Sequence, residues 1–220
     1  MPEFKADGGF ELEEYMEYFE DSNSPPNAEI GGKMAFPDGH ELSKEGKMPP
    51  FKSQRAIKQY VMRLSAAPTD VFPLLCPVRE YDWIEPWSCE MVYTAGGVAE
   101  ANAVFKTNFP AQGGEETWVV CRYEKDRAIE FIRVIPNFKV NRLDIALSSD
   151  NGATVATWTH TYTGLSEAGN QWIRGQTDEV FRSEKVALEK MLNHYLETGT
   201  RLSMAELELE SDPYGPPSTH

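Results

Sequence analysis

The sequence predicts an α+β domain, in which a curved antiparallel sheet of about seven strands surrounds one long C-terminal helix and two short helices follow the first strand. Three observations carry this prediction. An amphipathic helix spans Thr177 to Gly199; six strand-like stretches succeed one another between residues 88 and 163 with short connections; and an earlier strand, Ala56 to Ser65, leads into a proline-punctuated segment.

The helix begins at Thr177, a natural N-cap, and Asp178 and Glu179 follow at the positive end of the helix dipole. Val180, Phe181, Ala187, Leu188, Met191, Leu192, Tyr195 and Leu196 recur at three-and-four spacing, the mark of one buried face, and Gly199 suits the position after the last turn. Glu184 breaks the stripe. It stands between Phe181 and Leu188, where the spacing calls for an apolar side chain.

Earlier in the chain, Ala56–Ser65 alternates as a strand, with Ile57, Val61 and Leu64 available for burial. Ala66, Ala67 and Pro68 end it. Thr69–Leu75 forms a short helix with Asp70 in its first turn; Pro77 stops it, and a second short piece covers Val78–Trp83 before Pro86 and Trp87. The strands then run Ser88–Thr94, Val98–Phe109, Thr117–Tyr123, Ala128–Ile135, Lys139–Ser148 and Ala153–Thr163. Gly96-Gly97, a loop at Ala111–Glu116, a turn at Glu124–Arg127 and Asp150-Asn151-Gly152 connect them.

Asn-Gly is a strong hairpin signal and fixes a register. With Asn151 and Gly152 as the turn, Leu147 faces Ala156, Ile145 faces Trp158, Leu143 faces His160 and Asn141 faces Tyr162. Arg142, Asp144, Thr157, Thr159 and Thr161 fall on the opposite, solvent face, so Trp158, His160 and Tyr162 form an inward row of polar-tipped rings. In the preceding hairpin, a turn centred on Lys125-Asp126 sets Trp118 opposite Arg133 as a cation–π pair, Val120 opposite Phe131, and Arg122 opposite Ile129. Which side of residues 128–135 points inward depends on Pro136-Asn137-Phe138. A three-residue turn puts Phe131 and Arg133 inside, a two-residue turn Glu130 and Ile132; the first is preferred.

Composition bounds the function classes. A chain of 220 residues with 40% hydrophobic content buries one good core, and its net charge of −14, without any basic run, argues against nucleic acid or an anionic membrane as partner. Cys76, Cys89 and Cys121 are widely spaced and have no histidine cluster beside them, so they read as spare thiols in a reducing compartment, with no metal site and no cofactor expected. No signal peptide or membrane-length apolar run is seen, and a cytoplasmic protein is expected.

The charge concentrates at the ends. Residues 1–54 hold 12 Asp or Glu against 5 Lys, and residues 199–220 hold 4 acids against 1 Arg. An acidic N-terminal extension (1–54), a domain (55–200) and an acidic C-terminal tail (201–220) are therefore expected. The extension is rich in turn formers and contains one helical stretch, Glu11–Glu20, whose Leu12, Tyr15, Met16 and Phe19 share a face. A lineage-specific tail, a lid, a partner motif and a homodimer arm all fit it.

Strand, two short helices, six antiparallel strands and a long helix resemble the helix-grip arrangement of the START-like (SRPBCC) superfamily. Val71-Phe72-Pro73-Leu74-Leu75, continuing through Pro77-Val78-Arg79-Glu80 to Trp83 and Pro86-Trp87, is similar to a segment of a small bacterial, polyketide-cyclase/dehydratase-like branch. So are Thr117-Trp118-Val119-Val120, the Arg133–Pro136 segment, residues 161–167 and the ending Leu192–Gly199, and the resemblance covers residues 56–200. It implies a deep cavity between sheet and helix, used for lipids, hormones or polyketides, or for cyclisation or dehydration; fold does not choose among these.

On that reading Trp83, Trp87 and Trp118 sit around the pocket, with Phe131, Leu143, Ile145 and Trp158 as its sheet wall and Phe181 and Leu188 as its helix wall. His160, Tyr162, Arg133 and Glu184 supply its polar groups. The expected function is binding of a small hydrophobic or amphipathic molecule (a lipid, polyketide or aromatic). A cyclase or dehydratase using His160 with Arg133 or Glu184 is the alternative, and a protein-interaction module using the acidic arm a further one. No nucleophile motif and no paired acid and base is visible, which favours binding.

Overall fold

The computed structural model describes residues 51–211. The extension up to residue 50, with the Glu11–Glu20 stretch and the dimer arm proposed for it, lies outside the described residues, as do residues 212–220. Strand β1 (Arg55–Leu64) leads into α1 (Pro68–Val71), a 3-10 turn (Phe72–Leu75) and α2 (Pro77–Glu80). Then come β2 (Cys89–Tyr93), β3 (Val104–Phe109), β4 (Gly114–Glu124), β5 (Ala128–Ile135), β6 (Lys139–Asp150) and β7 (Ala153–Gly164). Helices α3 (Glu167–Gly175), α4 (Asp178–Thr198) and α5 (Met204–Ser211) close the chain.

All seven strands form one antiparallel sheet in the order β1-β7-β6-β5-β4-β3-β2, curved around α4, and this is the helix-grip fold. The β6–β7 register is the one the Asn151-Gly152 turn predicts, from Asp150 beside Ala153 outward to Asn141 beside Tyr162. Both turn residues have positive φ (52° and 89°), as a two-residue hairpin turn of this type needs. The β5–β6 turn has three residues, Asn137 adopting a φ of 58°, so Phe131 and Arg133 point inward.

Local expectations are corrected in four places. β4 starts at Gly114, so Glu116 is a strand residue and not part of a loop. β3 starts only at Val104; residues 98–103 form turns closed by bonds such as Ala103 N–H to the Glu100 carbonyl, 3.0 Å. A register shift between Val120 and Arg122 pairs Arg122 with Glu130 rather than Ile129, while Trp118–Arg133 and Val120–Phe131 pair as predicted. On β1, Ile57 and Val61 face outward, and Met62 and Leu64 are the buried residues.

Helix α4 is capped as its sequence dictates: the Thr177 hydroxyl accepts from the Val180 N–H at 3.2 Å, and Gly199 has φ 71°. Its side chains cover the edge strand. Glu189 accepts from the Tyr60 hydroxyl and the Arg63 N–H, both at 2.6 Å, and Asn193 accepts from the Ser65 N–H at 2.9 Å. These bonds occupy backbone groups that an edge strand otherwise exposes. Helix α3 was not foreseen. Ser166 caps it, and Gly169 lets it lie against the β5–β6 turn, where any Cβ would overlap the Phe138 carbonyl. Beyond residue 200, Leu202 and Leu207 are buried in the core.

Candidate ligand-binding site

One transverse row of the sheet builds the floor of the site. Register sets Tyr162 of β7 beside Asn141 of β6, Asn141 beside Arg133 of β5, Arg133 beside Trp118 of β4, and Trp118 beside Phe105 of β3. Alternate residues of a strand point to one face, so one row delivers a phenol, an amide, a guanidinium and two aromatic rings. The adjacent row brings His160 beside Leu143 and Leu143 beside Phe131.

Aromatic packing fills the concave side toward β2–β4. Trp118 stacks on Phe105 at 5.0 Å between ring centres, meets Phe131 edge-on at 5.6 Å and Trp87 at 6.4 Å. Toward β5–β7 a space of about 90 Å³ remains under α3 and α4, where Arg133, Lys139, Asn141, His160 and Tyr162 face Trp172, Gln176, Glu184 and Lys185. The deep cavity that the resemblance implies is therefore small and polar here, well below the roughly 300–1,000 Å³ of a drug-sized pocket.

The cations are organised by one carboxylate. Glu116, 1% exposed, accepts from Arg133 Nε and from Lys139 Nζ, each at 2.9 Å. Arg133 also donates to Gln112 Oε1 at 3.0 Å and lies 3.8 Å from the centre of the Trp118 ring, so the predicted cation–π pair is present. Burial would raise the Glu116 carboxyl, but Arg133 and then Lys139 carry it below the ordinary range. Burial pushes Lys139 down to about 8 against the pull of Glu116. Lys185, 6% exposed and also pushed down by burial, has no such partner. Its Nζ lies 3.7 Å from the half-exposed Glu184 and over the rings of Phe181 (5.3 Å) and Trp158 (6.0 Å).

His160, 2% exposed, is held by two groups at the same nitrogen. Asn141 Nδ2 and the Tyr162 hydroxyl each lie 3.1 Å from Nδ1. With the Asn141 amide assigned this way round its NH₂ donates, so Nδ1 accepts and the ring proton is assigned to Nε2. Nε2 is buried without a partner, and so are Asn141 Oδ1, Trp172 Nε1 and, beside Lys185, Trp158 Nε1. Burial, and then the Lys185, Arg133 and Lys139 charges, hold the imidazole well below its usual pKa, so it is neutral near pH 7.

The structure brings together four of the predicted site residues, Arg133, His160, Tyr162 and Glu184. Glu184 bonds neither Arg133 nor His160; it pairs with Lys185 at the mouth. Trp118 backs the Arg133 guanidinium. Phe131, Leu143, Ile145, Trp158 and Phe181 are buried around this group, and Leu188 packs half-buried on the core. Trp83 lies apart as a core pin, its Nε1 donating to the Leu74 carbonyl at 2.8 Å; Trp87 bonds the Pro77 carbonyl at the same distance and leans on Phe109. Glu116, Lys139, Asn141, Trp172 and Lys185 were missed as site residues. The same-parity run Glu116, Trp118, Val120 and the four-residue step from Phe181 to Lys185 were the available signals.

Among the described residues, no group of three or more His, Cys, Asp or Glu side chains is placed to share a metal ion, and no helix is long and apolar enough to cross a membrane. No family model and no curated protein matches the chain. Solved structures resemble it at low identity. An uncharacterized protein from Rhizobium leguminosarum is 13% identical with a TM-score of 0.49, covering 66% of this chain and 97% of its own. CalU16 from Micromonospora echinospora is 14% identical with a TM-score of 0.44, covering 71% and 89%. Ara h 8.0201 is 14% identical with a TM-score of 0.47, covering 66% and 99%.

Proposed function

We propose that this protein binds a small molecule in the space between the sheet and α3–α4, and that it acts as a START-like binding protein rather than an enzyme. The observation that carries the reading is the set of buried polar atoms without partners on both walls: His160 Nε2 and Asn141 Oδ1 on the sheet, Trp172 Nε1 on α3. Each such atom costs about 1–3 kcal/mol unless something bonds it. The three belong to residues that line one cavity, and a small rotation that turns them to a ligand or ordered water there relieves that cost.

The His160 tautomer favours binding over proton abstraction. A general base must present a lone pair to its substrate, and the lone pair of this ring faces Asn141 and Tyr162. The volume favours a compact ligand over a lipid chain or a fused polyketide. Native mass spectrometry of the purified full chain, followed by denaturing extraction, tests the reading: a stoichiometric small molecule, or saturable binding of a small aromatic probe perturbing His160 and Trp172, is expected. Absence of both would overturn it.

A further inference from the structure

Resting on that binding reading, we infer that the ligand carries a carboxylate, received by the Lys185 ammonium. The argument is one of unequal inventories. Among the residues that line the space, the buried atoms without protein partners are donors in two cases, His160 Nε2 and Trp172 Nε1, and an acceptor in one, Asn141 Oδ1. A ligand matching this set offers more acceptors than donors, as a carboxylate does.

Charge points the same way. Three cationic side chains line the space, Arg133, Lys139 and Lys185. Glu116 bonds the first two and is itself fully buried behind them. Lys185 is left with Glu184, at a separation of 3.7 Å and with 37% of the Glu184 side chain in solvent. A buried ammonium so weakly paired is costly, and an incoming anion relieves the cost by taking the place of Glu184. Phe181 and Trp158, over which the ammonium lies, keep it from reaching bulk water. Glu184, the misfit in the helix stripe, becomes the resident counter-ion that the ligand displaces.

The test compares benzoate with its neutral isostere benzamide on the full chain, by two-dimensional NMR titration. Benzoate is expected to bind at least about tenfold more tightly, the difference between a charge-assisted and a neutral set of hydrogen bonds. Lys185→Met should abolish the preference, and Glu184→Gln, which removes the resident counter-ion, should strengthen benzoate binding several-fold. Equal binding of the two probes, or a preference that survives Lys185→Met, overturns the carboxylate inference and leaves small-molecule binding standing. Failure of both probes to perturb the site overturns the two together. If Lys185→Met does not fold, the Glu184→Gln result decides: unchanged or weakened benzoate binding contradicts the inference.

Discussion

Asn141 Nδ2 donates to His160 Nδ1 across 3.1 Å, and that bond leaves the ring's own N–H on Nε2, buried without a partner. A residue that sequence alone nominates as a base is thereby turned into a donor.

The same burial has a pH signature. The folded-state pKa of His160 lies well below 6.5, with burial the first cause, so below that pH the unfolded chain binds a proton that the native state refuses. The contribution is complete above 6.5 and declines as pH falls. His160→Phe should therefore lose less unfolding free energy than wild type between about pH 6.5 and about pH 5 in urea titrations. Parallel losses would contradict the assignment.

Glu116 should behave as the keystone of its ion group. Glu116→Gln leaves Arg133 and Lys139 buried beside each other without a carboxylate and should cost about 3–5 kcal/mol in chemical denaturation. Adding Lys139→Met should recover part of that loss, because it removes one stranded charge. A loss below about 1 kcal/mol, within the range of exposed pairs, would show that water reaches the group.

Lys185→Met predicts the opposite sign. Replacing a weakly paired buried ammonium by an apolar side chain of similar length should stabilise the free protein by about 1–4 kcal/mol, read as an increased urea midpoint. Strong destabilisation would mean the ammonium is well satisfied in the empty protein.

Gly169→Ala tests the docking of α3. The added Cβ overlaps the Phe138 carbonyl, so helix and turn must separate, at about 1–3 kcal/mol and with loss of the Tyr162–Trp172 edge contact at 5.3 Å. A near-neutral melting temperature would show that the contact yields freely.

How much of this was legible follows from where each signal is stored. The inward row Trp158, His160, Tyr162 could be read because a two-residue Asn-Gly turn fixes register locally and every pairing follows from it. The Trp118–Arg133 pair held by compensation: the turn has one residue more than expected, Glu124 pairing with Ala128, and the register shift between Val120 and Arg122 cancels it before Trp118. Glu116 was hidden by Gly113-Gly114, which reads as loop but here starts a strand, and a carboxylate is rarely buried without partners that only tertiary structure supplies. Lys185 was hidden likewise, because a charge on a helix usually marks its solvent face. The size of the cavity depends on how Trp87, Phe105 and Trp118 interdigitate across three segments, and no spacing within one segment encodes that.

The most direct test of a donor-lined site is the ¹⁵N spectrum of the His160 ring in the full chain, recorded with and without benzoate. The geometry predicts a neutral ring protonated at Nε2 in the free protein, with the Nε2–H resonance moving on saturation while Nδ1 stays hydrogen-bonded to Asn141. A ring protonated at Nδ1, or an Nε2–H resonance indifferent to benzoate, would contradict it.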